Sequence, residues 1–182
     1  MANNGAESGT VQRGQVISLT QRCTRRREYG IRAGDRALGW LQWRQGRRSI
    51  AQAEGRGIGL IELTTSRRRV TVAGLSDAET LATVDRQRGG SIIHVIDGHA
   101  LRWEKTARGN RWAIVEQGDA LLSVIASQGL LRSSVRIVAE RTMPEETAVL
   151  LCLIGGYLAL SELQSMVDAS AAIGGIVAAA AG

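Results

Sequence analysis

Three arginine clusters are the residues of this sequence best suited to holding a ligand: Arg25-Arg26-Arg27, Arg47-Arg48 and Arg67-Arg68-Arg69. A guanidinium presents a planar fork of donors that matches the oxygens of a phosphate or carboxylate. Each cluster falls beside an expected strand end or turn, so the three can converge on one rim. The ligand they suit is a phosphate group, including the headgroup of an anionic lipid. A solvated basic surface explains the same residues without any ligand, and nucleic acid, another polyanion, is not the expected partner.

No catalytic set accompanies them. His94 and His99 flank Asp97-Gly98, and a hairpin there can bring the two rings near each other, but a metal site needs a third ligand. Asp97 reads as a turn residue rather than an acid. Gly55-x-Gly57-x-Gly59 lacks the Lys-Ser/Thr of a phosphate-binding loop and fits a bulged strand entry instead. The serines sit in turns, and none follows a nucleophile-elbow pattern. Cys23 and Cys152 are too few for a disulfide framework or a zinc site. The expectation is a protein without catalytic residues, metal or cofactor.

Charge is spread unevenly. Lys105 is the only lysine, and the net charge of +6 comes from arginine. Residues 1–69 hold 14 Arg against 5 acids, whereas residues 70–182 hold 9 bases against 12 acids. The opening MANNGAESGTVQRG has neither the charged start nor the apolar run of a signal peptide, so a cytoplasmic location is the default, peripheral to a membrane if the arginines bind lipid.

The elements that must position the arginines are short strands. From Val16 onward, apolar residues come in brief alternating runs broken by Gly, Asp, Asn and Arg. In one of these runs, Leu38 and Trp40 are expected on one face, with Leu41 and Trp43 on the other. Asp97-Gly98 between two apolar runs is the strongest hairpin signal, because both turn positions favour positive φ. Further hairpins turn at Arg108-Gly109-Asn110 and Gln117-Gly118-Asp119, and Ser133 to Ala139 alternates as a last strand. Ten to twelve strands result. With no Phe in the chain, Trp40, Trp43, Trp103 and Trp112 are expected in the core.

After the strands comes AVLLCLIGGYLAL, residues 148–160, without a charge. Thr142 and Glu145 have capping-box spacing, and Pro144 suits a first helical turn. A helix apolar on every side must be enclosed by protein or lipid. Thirteen residues span only about 20 Å, short of a ~30 Å hydrocarbon core, which favours protein. A membrane hairpin with the tail is the minority alternative. A meander of hairpins that closes on itself, with this helix in the hole, removes the sheet edges and buries the helix together. Gly155-Gly156 costs about 1 kcal/mol per residue in helix propensity, to be offset by close approach of the wall.

The hairpin series from Ile92 to Val124, the strand Val135 to Val138 and the helix Glu145 to Leu160 together resemble the tubby C-terminal-like superfamily. That group includes tubby domains, LURP-one-related proteins and phospholipid scramblases. The resemblance implies a twelve-stranded barrel around a central helix, and phosphoinositide binding through a basic surface in the tubby branch. The cysteine cluster and acidic calcium segment of scramblases are missing.

The expected fold class is therefore all-β with one buried helix: a closed antiparallel barrel of about twelve strands around a central hydrophobic C-terminal helix. Residues 1–14 form a disordered arm, 15–163 the barrel with a helix at about 144–162, and 164–182 an Ala/Gly-rich tail. The expected function is a non-enzymatic binding module for anionic phospholipid or phosphate groups. The alternative is an assembly protein making protein contacts through the barrel surface or the tail, with oligomeric state open.

Overall fold

A computed structural model describes residues 9–23, 27–44, 49–76, 78–87, 89–106, 109–129 and 132–180, with side chains as far as Ser170. Twelve strands form a closed antiparallel barrel: β2 (Val16–Cys23), β3 (Glu28–Ala33), β4 (Arg36–Trp43), β5 (Ile50–Gly55), β6 (Gly59–Thr65), β7 (Arg69–Gly74), β8 (Thr80–Gln87), β9 (Gly90–Val95), β10 (Ala100–Lys105), β11 (Arg111–Glu116), β12 (Asp119–Gln128) and β13 (Ser133–Ala139). Each pairs with its sequence neighbours, and β13 closes the ring by pairing with β2, Ile137 opposite Ile17. Closure leaves no edge strand exposed in the barrel. A two-residue ribbon, β1 (Thr10–Val11) with β14 (Met143–Pro144), lies outside the ring.

The helix α1 (Glu145–Ala180) threads this barrel. Every residue from Ala148 to Leu160 is buried, as is Leu163. The wall contributes inward-facing aliphatics at alternate positions, such as Ile17, Leu19 and Ile31 or Leu122 and Val124, all fully buried. One stretch from Glu145 to Ser170 is long and apolar enough to cross a membrane by composition, but most of it is enclosed by the sheet. The wall does the work that lipid would otherwise do.

The two glycines of the helix differ. A Cβ on Gly156 would overlap the Leu19 side chain, so this position needs glycine for close approach. At Gly155 the nearest neighbours, on Ile114, Trp103 and Val124, would lie 3.5 Å from a Cβ, which is ordinary contact. Only one of the pair meets the expected close wall.

Several local expectations are corrected. The capping box is not formed: Met143–Pro144 stay extended to pair with Thr10–Val11, and the helix begins at Glu145. Thr142 Oγ1 instead accepts from the Arg13 backbone N–H at 3.2 Å. Thr10 and Val11, placed by sequence in the N-terminal arm, form β1, and Val11 is fully buried. The Gly55–Gly59 run is the β5–β6 turn itself, with φ of +83° at Gly57 and +67° at Gly59. In β4, Leu38 and Trp40 do not share a face. A bulge opposite Ile31–Arg32 turns Leu38 inward, while the Trp40 indole donates outward to Glu54 at 2.9 Å. Trp103 and Trp112 are buried, and Trp43 packs partly buried against the core.

Candidate anion-binding rim

An up-and-down barrel puts every second connection at the same end. One end of the barrel is formed by the strand ends that flank the connections 24–27, 44–49, 66–68, 88–89, 106–110 and 129–132. The sequences of these connections contain eleven arginines and no acid. The connections at the other end (34–35, 56–58, 75–79, 96–99, 117–118 and 140–142) contain five acids and two arginines. The helix enters at the acid-bearing end and leaves through the arginine-bearing one.

The strand ends that bracket the three sequence clusters therefore share one rim. Arg25, Arg26, Arg47 and Arg48 lie outside the described residues; the strand ends that bracket them, Cys23 and Glu28, Trp43 and Ile50, are at this end. Arg67 and Arg68 are exposed and have no ion-pair partner among the described residues. Arg69 is different: its Nε donates to Asp85 at 2.6 Å, and that hydrogen bond holds the Asp85 carboxyl below its ordinary range. It is committed within the fold.

Arg27 is half-buried and lines a cavity of about 210 Å³ between the emerging helix and the wall. Its backbone takes φ +47°, a left-handed conformation that costs a non-glycine residue of order 1 kcal/mol. Half-buried Arg86 and the hydroxyl-bearing Tyr29, Thr65, Ser133 and Tyr157 line the same cavity. Thr65 and Tyr157 share a hydrogen bond of 2.5 Å, and Tyr157 stacks on Trp43 with centroids 5.3 Å apart. Burial pushes the Tyr29 phenol up, against opposing pulls from a Ser133 hydrogen bond and the Arg27 charge, so the phenol is a donor at neutral pH. Asp168 is the acid in the lining, and it accepts from Gln164 at 2.7 Å. Neither Arg27 nor Arg86 is ion-paired among the described residues.

Arg86 also borders a second cavity, about 320 Å³, with Lys105, Trp103, Trp112 and Glu162. Arg86 and Lys105 were not singled out from the sequence. The signal that finds them is connection parity: once 25–27, 47–48 and 67–69 belong to alternate turns, the strand ends that lead into the remaining alternate turns, β8 and β10 among them, share the same rim.

At the opposite end, charges are compensated internally. Glu145, almost fully buried at the start of α1, has Arg36 at 2.7 Å and Arg56 at 3.2 Å. Arg36 approaches Oε2 without hydrogen-bond alignment. Arg141 pairs with Asp119 and Glu116. The two histidines part company: His94 faces Asp85 at 3.7 Å and His99 faces Glu116 at 3.1 Å, on strands either side of their hairpin. No group of three or more His, Cys, Asp or Glu converges as a metal site among the described residues.

No family model matches this sequence, and neither a curated protein nor a solved structure matches it.

Proposed function

We propose that this chain is a non-enzymatic binding module that docks on anionic phospholipid through its arginine-bearing rim. The observation that carries the reading is the segregation of charge: alternate connections supply arginine without a single acid, and the half-buried Arg27 and Arg86 face a cavity without an ion-pair partner among the described residues. A merely solvated surface would mix the two signs, as the opposite end does. Near an anionic membrane, each basic side chain contributes about 1 kcal/mol. Several on one rim act together, and two at a cavity lined with hydroxyls can take one phosphate by forked hydrogen bonds. Placement in the tubby-like superfamily belongs to the same proposal, supported by the twelve strands around one central helix.

Flotation of the purified chain with phosphatidylcholine vesicles, with and without phosphatidylserine, tests this. Binding is expected only with the anionic lipid, falling as salt rises. Replacing Arg67 and Arg68 with Gln is expected to weaken it about fivefold per residue, the equivalent of ~1 kcal/mol each. Equal binding to both vesicle types, or no effect of the double substitution, overturns the reading.

A further inference from the structure

The helix does not stop where the barrel does. Leu163 is the last buried residue of α1 among those whose side chains are described, and the helix runs to Ala180, about 25 Å further at 1.5 Å per residue. Its first exposed turns present Met166 and Val167, 39% and 38% accessible. Beyond Asp168 the sequence ASAAIGGIVAAAAG, residues 169–182, carries no charge. A helical segment of uncharged sequence therefore continues from the barrel end whose connections are rich in arginine.

Resting on the reading of the rim given above, we propose that the projecting segment, residues 169–180, enters the acyl layer of an anionic bilayer while the arginine rim sits at the headgroups. Charge complementarity selects this occupant. A second protein copy bringing the same rim would set arginines against arginines, whereas phosphate headgroups surround an inserted helix with the opposite sign. Depth agrees: twelve residues reach about 18 Å, enough for one leaflet of a ~30 Å core and too short to cross it. Asp168 then lies at the headgroup level among the arginines. Neither part binds firmly alone. A segment made mostly of Ala and Gly is only weakly hydrophobic, and a basic rim alone gives salt-labile attachment, so firm binding takes both signals.

The test labels the full chain at residue 176, as Ile176→Cys in a Cys23→Ser background, with an environment-sensitive fluorophore. Cys152 is fully buried and does not compete for label. Vesicles of phosphatidylcholine with phosphatidylserine are expected to shift the emission to the blue and shield the label from aqueous iodide; phosphatidylcholine alone is not. In unlabelled chain, Ile173→Asp with Val177→Asp is expected to lower vesicle affinity at least tenfold at high salt. Flotation that persists with an unshifted, iodide-accessible label overturns the insertion and leaves the rim standing. Loss of all flotation overturns both. A dimer in light scattering without lipid, abolished by the same two aspartates, also overturns insertion, because the segment would then be an interface between copies.

Discussion

Trp103 donates its indole N–H to Glu162 at 2.9 Å, fixing the last buried turns of the helix to the mouth of the barrel. Trp112 donates to the other carboxylate oxygen at 2.8 Å, and the two indoles stack with centroids 5.7 Å apart. One carboxylate thus satisfies two buried donors. Glu162→Ala leaves both unpaired and is expected to destabilise the fold by about 2–4 kcal/mol, while Glu162→Gln, which keeps one acceptor, costs about 1 kcal/mol. Urea unfolding followed by tryptophan fluorescence reads both.

Gly155 and Gly156 should respond in opposite directions. Gly155→Ala adds a methyl into ordinary contact and gains helix propensity, so stability is expected to rise by up to about 1 kcal/mol. Gly156→Ala forces Leu19, itself fully buried, to move, and a loss of about 1–3 kcal/mol is expected. Equal effects in thermal unfolding would refute the close approach at Gly156.

At Arg27, stability and binding are expected to separate. Arg27→Gly relieves the left-handed backbone, so the fold should keep its stability or gain about 1 kcal/mol, while the cavity loses a guanidinium and vesicle affinity falls about fivefold. Denaturation and flotation on the same variant check the pair of signs.

Alkaline pH exposes the role of Cys152. Full burial pushes its thiol from 9.0 up to about 12. Between those values the unfolded chain releases the proton and the folded chain keeps it, so stability falls as pH rises above 9; below 9 both states hold the proton and nothing changes. The slope approaches about 1.4 kcal/mol per pH unit. Between pH 8 and 10.5 the native chain should lose about 2 kcal/mol more than Cys152→Ala does. Identical losses would mean that the thiol is reached by water.

The architecture was legible because two signals agreed. Asp97-Gly98 and its neighbouring turns marked hairpins, and the uncharged run from Ala148 to Leu160 demanded enclosure, which a closing sheet supplies. What escaped was set by tertiary competition. Thr142 and Glu145 have the spacing of a helix cap, but the Arg13 backbone N–H takes the Thr142 hydroxyl, the ion pairs to Arg36 and Arg56 take the Glu145 carboxylate, and Met143 and Pro144 between them pair with Val11 and Thr10. The bulge that divides Leu38 from Trp40 arises from β4 meeting β3, so no local pattern announces it. For the site, the clusters at 25–27, 47–48 and 67–69 were visible, but Arg86 and Lys105 look unremarkable in isolation. Only the alternation of connections joins them, and the cavity needs Tyr29, Ser133 and Tyr157 from three distant parts of the chain.

The unequal ends of the barrel have one more result. A molecule with arginine gathered at one pole and carboxylates at the other experiences a torque in the field of a charged surface before it touches. Approaching a negatively charged sheet of any kind, it would swing its arginine pole forward while still about a Debye length away, ~8 Å at physiological salt, and so arrive with the projecting helix leading. Which turns carry which sign sets the direction of the molecule's charge asymmetry.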